Sequence, residues 1–220
     1  MATTLKDSTY HVILTSRGLN SKVGETLIQK ALSHLRYLAD TDSILLIVPD
    51  DYPVHDKLVN ACKNLGFSEK NIFFSCDAMP DTHVPSVCYV TEGNTFEVLD
   101  YMRRKELIDP IMKCMEKGGI FIGSSAGAMI ATRSIGLARD FDSNFVGMSD
   151  FSALGLLGDM EVVPHYTYGQ LQRYISSFGY DDIERNMINV ADNEALIVDM
   201  EVIDSNTYVR RKKRIRENME

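Results

Sequence analysis

Long apolar runs, a basic-then-apolar leader and paired cysteines are all missing from this chain, and each absence removes a class of protein. The longest purely aliphatic stretches, such as Ile44-Leu45-Leu46-Ile47-Val48, are far too short to cross a bilayer, so no membrane partner is expected. Residues 1–7 lack a basic segment followed by an apolar run, and no secretory leader is expected there. Cys62, Cys76, Cys88 and Cys114 form no Cys-x-x-Cys pair and no metal-ligand spacing. They read as free thiols of a cytoplasmic protein, with no metal centre and no cofactor. Repeats, low-complexity linkers and breaks in composition are also missing, so residues 1–220 are expected to form a single domain.

Positive charge is scarce and unevenly placed. The chain has 23 basic and 31 acidic residues, a net charge of −8, yet residues 210–216 (Arg-Arg-Lys-Lys-Arg-Ile-Arg) hold six of the basic ones and no acid. The remaining 17 basic residues face all 31 acids, and such an acidic body argues against nucleic acid as a main partner. The basic segment reads as a solvated terminal strand or tail. With 45% hydrophobic residues the chain has enough apolar material for one sizeable core.

Apolar runs alternate with amphipathic segments along the chain. Residues 10–15, 43–48, 71–75, 86–90 and 119–123 read as strands, and 160–164 as a further strand delivering His165. Residues 21–38, 54–65, 96–107, 110–116 and 169–178 read as helices, with Gly66 and Gly118 at helix ends. Residues 136–157 carry no clear period, and 189–202 read as a hairpin. Continuous apolar strands between amphipathic helices predict an α/β fold, a mostly parallel sheet covered on both faces. Ligands bind such sheets in the crevice at the C-terminal strand ends. Three of those ends carry suggestive residues: 91–95, 123–127 and 164–167.

The richest of the three is Gly123-Ser124-Ser125-Ala126-Gly127. A strand followed by Gly-x-Ser-x-Gly and a helix is the context of a nucleophile elbow, a tight turn that lifts one serine hydroxyl clear of the backbone. Ser125 is the candidate nucleophile; a small-residue turn that merely packs helix on sheet is the alternative. A serine needs a base, usually histidine. Of the five histidines, only His165 sits just past a strand, downstream of the serine, at the catalytic edge. The acid that would orient it is open at this point among Asp140, Asp142, Asp150, Asp159 and Glu161. For an oxyanion hole, Ala126 supplies one N–H and the turn at Gly93 is a natural source of another. Asn94 and Thr95 could equally be caps of the helix that follows.

These residues resemble peptidase E (alpha-aspartyl dipeptidase) and its relatives, including the cyanophycinases. That family's strand-Gly-Gly-Gly-Asn-Thr-Phe, Gly-x-Ser-Ala-Gly-Ala and Asn-Pro-His-Phe-Thr segments correspond to Thr91-Glu92-Gly93-Asn94-Thr95-Phe96, Gly123-Ser124-Ser125-Ala126-Gly127-Ala128 and Val163-Pro164-His165-Tyr166-Thr167. The resemblance implies a three-layer sandwich of the class I glutamine amidotransferase-like type. It implies a serine peptidase acting on dipeptides or other short peptides, with Ser125 as nucleophile, His165 as base, and Gly93 at the oxyanion hole. By interval, the acid falls on Asp140, with Asp142 close behind. Glu92 interrupts the triple glycine; pointing inward, it would meet a substrate α-amino group. Asn94 and Arg173 are the remaining substrate-binding candidates, and since Arg173 aligns poorly with the family's specificity arginine, strict aspartyl preference is not expected. The implied partner is a small peptide, and the resemblance leaves room for a homodimer. An esterase using the same residues, or an inactive binding protein of the same fold, are the competing readings.

Overall fold

The computed structural model describes residues 8–35, 38–49, 55–77, 83–167, 169, 186–203 and 206–217. In chain order the elements are β1 (Ser8–Thr15), α1 (Lys22–Leu35), β2 (Ile44–Ile47), α2 (His55–Leu65), β3 (Ile72–Phe74), β4 (Val87–Val90), α3 (Thr95–Arg104) and α4 (Ile108–Glu116). There follow β5 (Ile120–Ser124), α5 (Ala126–Ile130), β6 (Glu161–Val163), β7 (Met187–Asn189), β8 (Glu194–Ile203) and β9 (Asn206–Arg216). Seven strands form one sheet in the order β3-β2-β4-β5-β1-β8-β9. The first five run parallel; β8 lies antiparallel to β1, and β9 antiparallel to β8.

The strand side chains sort by their period of two, as a pleated sheet requires. Tyr10, Val12 and Leu14 of β1, Leu45 and Ile47 of β2, and Phe121 of β5 pack with Phe96, Leu99 and Met102 of α3 and Ile111 and Met115 of α4. Their neighbours Ile13, Ile44, Leu46, Ile120 and Ile122 pack with Leu27, Ile28 and Leu32 of α1 and Leu58 and Cys62 of α2. Both faces of the sheet are therefore covered, and the α/β architecture with a mostly parallel sheet is as the apolar runs predict. Gly66 and Gly118 end α2 and α4 with φ of +105° and +74°, the left-handed backbone that glycine adopts at little cost.

The C-terminal part differs from expectation. Residues 189–202 are not a hairpin: β7 pairs in parallel with β6 in a separate two-stranded sheet, while β8 is one long strand of the main sheet. The hairpin lies further on, between β8 and β9. The apolar run 195–198 was legible as strand, but not its partner, because pairing is a non-local choice. The helix expected at 169–178 falls, apart from Gly169, outside the described residues. The basic segment 210–216 belongs to the edge strand β9, where Arg211 pairs with Asp199 at 2.6 Å and Arg214 and Arg216 pair with Glu194. Its charge is thus largely answered by β8.

Candidate active site

At the end of β5 the chain turns within one residue. Ser125 has φ +50° and ψ −106°, and α5 starts at Ala126. A non-glycine residue at positive φ is strained, and its neighbours hold it there. Ser125 N donates to Thr15 O at 2.8 Å, and Gly127 N donates to Thr91 O at 3.1 Å. The buried hydroxyls of Thr15 and Ser124 share a 2.9 Å hydrogen bond. The turn is thereby pinned between the ends of β1 and β4. A Cβ on Gly127 would lie 2.2 Å from Val90 O, and one on Gly123 would lie 2.5 Å from Gly127 O. The two glycines of Gly-x-Ser-x-Gly are there because strand and helix backbones touch.

His165 reaches the same point from another direction. It follows β6, also at positive φ (+52°), with its N–H donating to Ser16 Oγ at 2.8 Å. Ser16 Oγ in turn donates to Val190 O at 2.8 Å. Ser125 Oγ and His165 Nε2 are 2.9 Å apart, and His165 Nδ1 lies 2.6 Å from Asp192 Oδ1. With Nδ1 donating to the carboxylate, Nε2 is left to accept the serine proton. Asp192 Oδ2 accepts from the Arg17 guanidinium at 2.6 Å. Partial burial pushes the Asp192 carboxyl up, but the hydrogen bonds and charges of His165 and Arg17 outweigh it and hold it below the usual aspartate range. It therefore stays ionised where the imidazole needs it.

The acid expected between Ser125 and His165 is thus not the one on the imidazole. Asp140 is exposed at the end of a 3-10 turn (Gly136–Asp140), bordering a shallow depression with Ser134, Arg139 and Glu161. Asp142 accepts from Thr95 N at 2.9 Å and Thr95 Oγ1 at 2.6 Å, which ties its loop to the start of α3. Asp192 lies beyond His165 in the chain, outside the interval between serine and histidine in which the acid is expected. One signal was available: Ala191-Asp192-Asn193-Glu194 is a polar turn feeding an apolar strand, at the catalytic edge of the sheet.

The other candidates divide. Gly93, at φ +140°, follows β4 beside the elbow, and Ala126 opens α5, where a helix has N–H groups with no earlier carbonyl to bond. Asn94 is the cap of α3: its Oδ1 accepts from Phe96 N and Glu97 N, and its Nδ2 donates to Ser143 O. Glu92 does not offer a bare carboxylate to a substrate, since it accepts from Gly18 N at 3.0 Å and from Asn20 Nδ2. Arg173 lies outside the described residues. Among the described residues, no group of three or more His, Cys, Asp or Glu side chains is placed to hold a metal, and no helix is long and apolar enough to cross a membrane.

The sequence model of Peptidase family S51 matches residues 47–205. The chain is 34% identical over 118 residues to peptidase E of Citrobacter koseri, a match covering 54% of this chain and 49% of that protein. It is 41% identical over 81 residues to an uncharacterized peptidase of Pasteurella multocida, covering 36% and 39% of the two chains. The chain spans about half the length of the curated relatives it matches. In fold it is similar to a crystal structure of a candidate peptidase E from Listeria monocytogenes EGD-e, with a TM-score of 0.65 at 17% identity, covering 96% of this chain and all of that one. A peptidase from an acI-B1 Actinobacterium gives a TM-score of 0.55 at 13% identity, covering 98% and 97%.

Proposed function

Because this chain belongs to peptidase family S51, we propose that it is a serine peptidase that hydrolyses dipeptides or other short peptides through Ser125, His165 and Asp192. The observation that carries this reading is the continuous line of hydrogen bonds from Ser125 Oγ through both ring nitrogens of His165 to Asp192.

In this mechanism Ser125 Oγ attacks the scissile carbonyl carbon as its proton passes to His165 Nε2. The carbonyl electron pair moves onto oxygen, and the N–H groups of Gly93 and Ala126 receive the oxyanion. Asp192 keeps Nδ1 protonated and stabilises the imidazolium without taking the proton itself. Collapse of the tetrahedral intermediate breaks the C–N bond, and the leaving amine takes the proton from Nε2. Water then attacks the acyl ester on Ser125 with His165 again as base, and release of the acid restores the serine hydroxyl. No step calls for a metal or an organic cofactor. The free thiols, three of them buried, suit the reducing cytoplasm as the place of work.

The test is labelling with a fluorophosphonate, which reports an activated serine without knowledge of the substrate. The parent should label, and Ser125→Ala and His165→Ala should not. A panel of dipeptides on the parent then reads side-chain preference. A folded, monodisperse parent that takes no label overturns the assignment; a parent that labels but leaves every peptide intact while cleaving simple esters overturns the peptide substrate.

A further inference from the structure

The turn between β1 and α1, residues 16–20, touches both His165 and Asp192 of the candidate site. Ser16, fully buried, bridges His165 N and Val190 O. Arg17 holds the Asp192 oxygen that His165 does not use. The same turn is fastened on its other side to the end of β4. Gly18 N donates to Glu92 Oε2 at 3.0 Å, Asn20 Nδ2 donates to Glu92 Oε1, and Leu19 N donates to the Tyr89 hydroxyl at 3.1 Å. The fit admits no side chain at two places. A Cβ on Gly18 would lie 2.5 Å from the Tyr89 hydroxyl, and one on Gly24 would lie 2.2 Å from Gly18 O and 2.3 Å from Arg17 O. Helix α1 therefore presses the turn from behind while Glu92 draws it from the front.

Resting on the peptidase reading above, we propose that Glu92 is a positioning residue that holds the 16–20 turn so that Ser16 and Arg17 set His165 and Asp192 in place. The carboxylate has the chemistry for this. A turn presents several N–H donors at once, and a carboxylate is an acceptor on both oxygens. Glu92 stands where the family motif it resembles carries glycine, so the tie comes from this chain's own departure. Its effect runs through backbone and not through contact with a substrate, which separates it from a substrate-binding role.

Charge and tether can be told apart by sign. Among the described residues, the charged groups paired with Asp192 are His165 and Arg17, while Glu194 two residues on is engaged by Arg214, Arg216 and the Ala191 amide. Losing only the negative charge of Glu92 favours the ionised form of Asp192 and moves its titration down. Releasing the turn takes Arg17 from Asp192 and moves it up.

The experiment measures the Asp192 carboxyl titration by carbon-13 NMR, with fluorophosphonate labelling rates alongside, in the parent, Glu92→Ala, Glu92→Gln and Arg17→Met. Glu92→Ala should raise the Asp192 midpoint as Arg17→Met does, by up to about 0.7 unit for an exposed pair. It should also slow labelling about tenfold, the scale of a small misplacement of a base. Combining the two substitutions should move the midpoint no further than Arg17→Met alone. Glu92→Gln loses the charge and keeps the tie, because its oxygen still accepts from Gly18 and a flipped Asn20 amide can accept from its NH2; its labelling rate should stay close to the parent's and its Asp192 midpoint should not rise. If Glu92→Ala does not fold, Asn20→Ala removes the Oε1 half of the tie and leaves the Gly18 half, and it should move the midpoint and the labelling rate in the same directions by a smaller amount. An Asp192 midpoint that stays put or falls in the alanine variant overturns the proposal. A parent that takes no label overturns the peptidase reading, while the titration still decides whether Glu92 acts on Asp192.

Discussion

Three side chains from distant parts of the chain meet in the line Ser125–His165–Asp192, and each is held by a different device. Ser125 is held by the backbone of its turn, His165 by Ser16 at its amide, and Asp192 by an arginine on its outer oxygen. Asp192 and His165 are 32% and 41% exposed at the side chain, so their pairing rests on geometry more than on a dry environment. Asp192→Asn keeps the shape but offers an amide to Nδ1, which favours the wrong tautomer, and labelling or turnover should fall by about 10²–10⁴-fold. Asp140→Asn should leave either rate within about twofold, since Asp140 is an exposed residue away from the imidazole. Comparing the two variants under one assay checks both. Ser125 and His165 were legible in the sequence because their signals are local: a motif between a strand and a helix, and a histidine at a strand end. Asp192 was not, because nothing local tells which of many carboxylates crosses space to an imidazole.

The elements that build the site do so through close backbone approach. β5, its turn and α5 form one unit in which Gly123 and Gly127 remove side chains from a contact that would otherwise be impossible. Gly127→Ala should therefore destabilise the protein by about 1–3 kcal/mol, the cost of forcing an extra methyl into a packed contact. Urea denaturation of the parent and the variant, read at equal slope, measures it. Much of this level was legible beforehand. The parallel strands are buried on both faces and read as continuous apolar runs, and the helices show their stripe. The end of the chain was not, for β8 and β9 owe their places to partners rather than to their own pattern. Glu194 shows this: it opens β8, yet it is fixed by Arg214 and Arg216 of β9 and by the Ala191 amide next to Asp192.

Across the whole molecule, the acids that matter for pH are those the fold has paired. Burial raises both Asp192 and Glu194, but the hydrogen bonds and charges around them prevail, and both titrate below the usual carboxylate range. A carboxyl whose folded pKa is depressed stabilises the fold above its unfolded pKa, about 4, and that stabilisation is lost as the pH falls through the lower folded value. Burial alone raises Glu161, which acts with the opposite sign. The urea midpoint of the parent should fall as the pH drops below about 4. In the double variant Asp192→Asn, Glu194→Gln it should start lower and fall less. A parent and variant whose midpoints run parallel through that range would mean that the two acids carry no pH-dependent stability.

The sequence by itself determined the α/β class, the elbow, the serine and the histidine. All of these are written in periods of two and 3.6 and in short motifs, which depend on residues close in the chain. Only the tertiary structure decided that Asp192 meets the imidazole, that Arg17 stands behind it, and that Glu92 fastens the turn carrying Arg17. Those partners lie 27, 175 and 72 residues apart in the chain, for His165–Asp192, Arg17–Asp192 and Asn20–Glu92. Which of many possible partners each one meets is chosen by the order and register of the strands in the sheet.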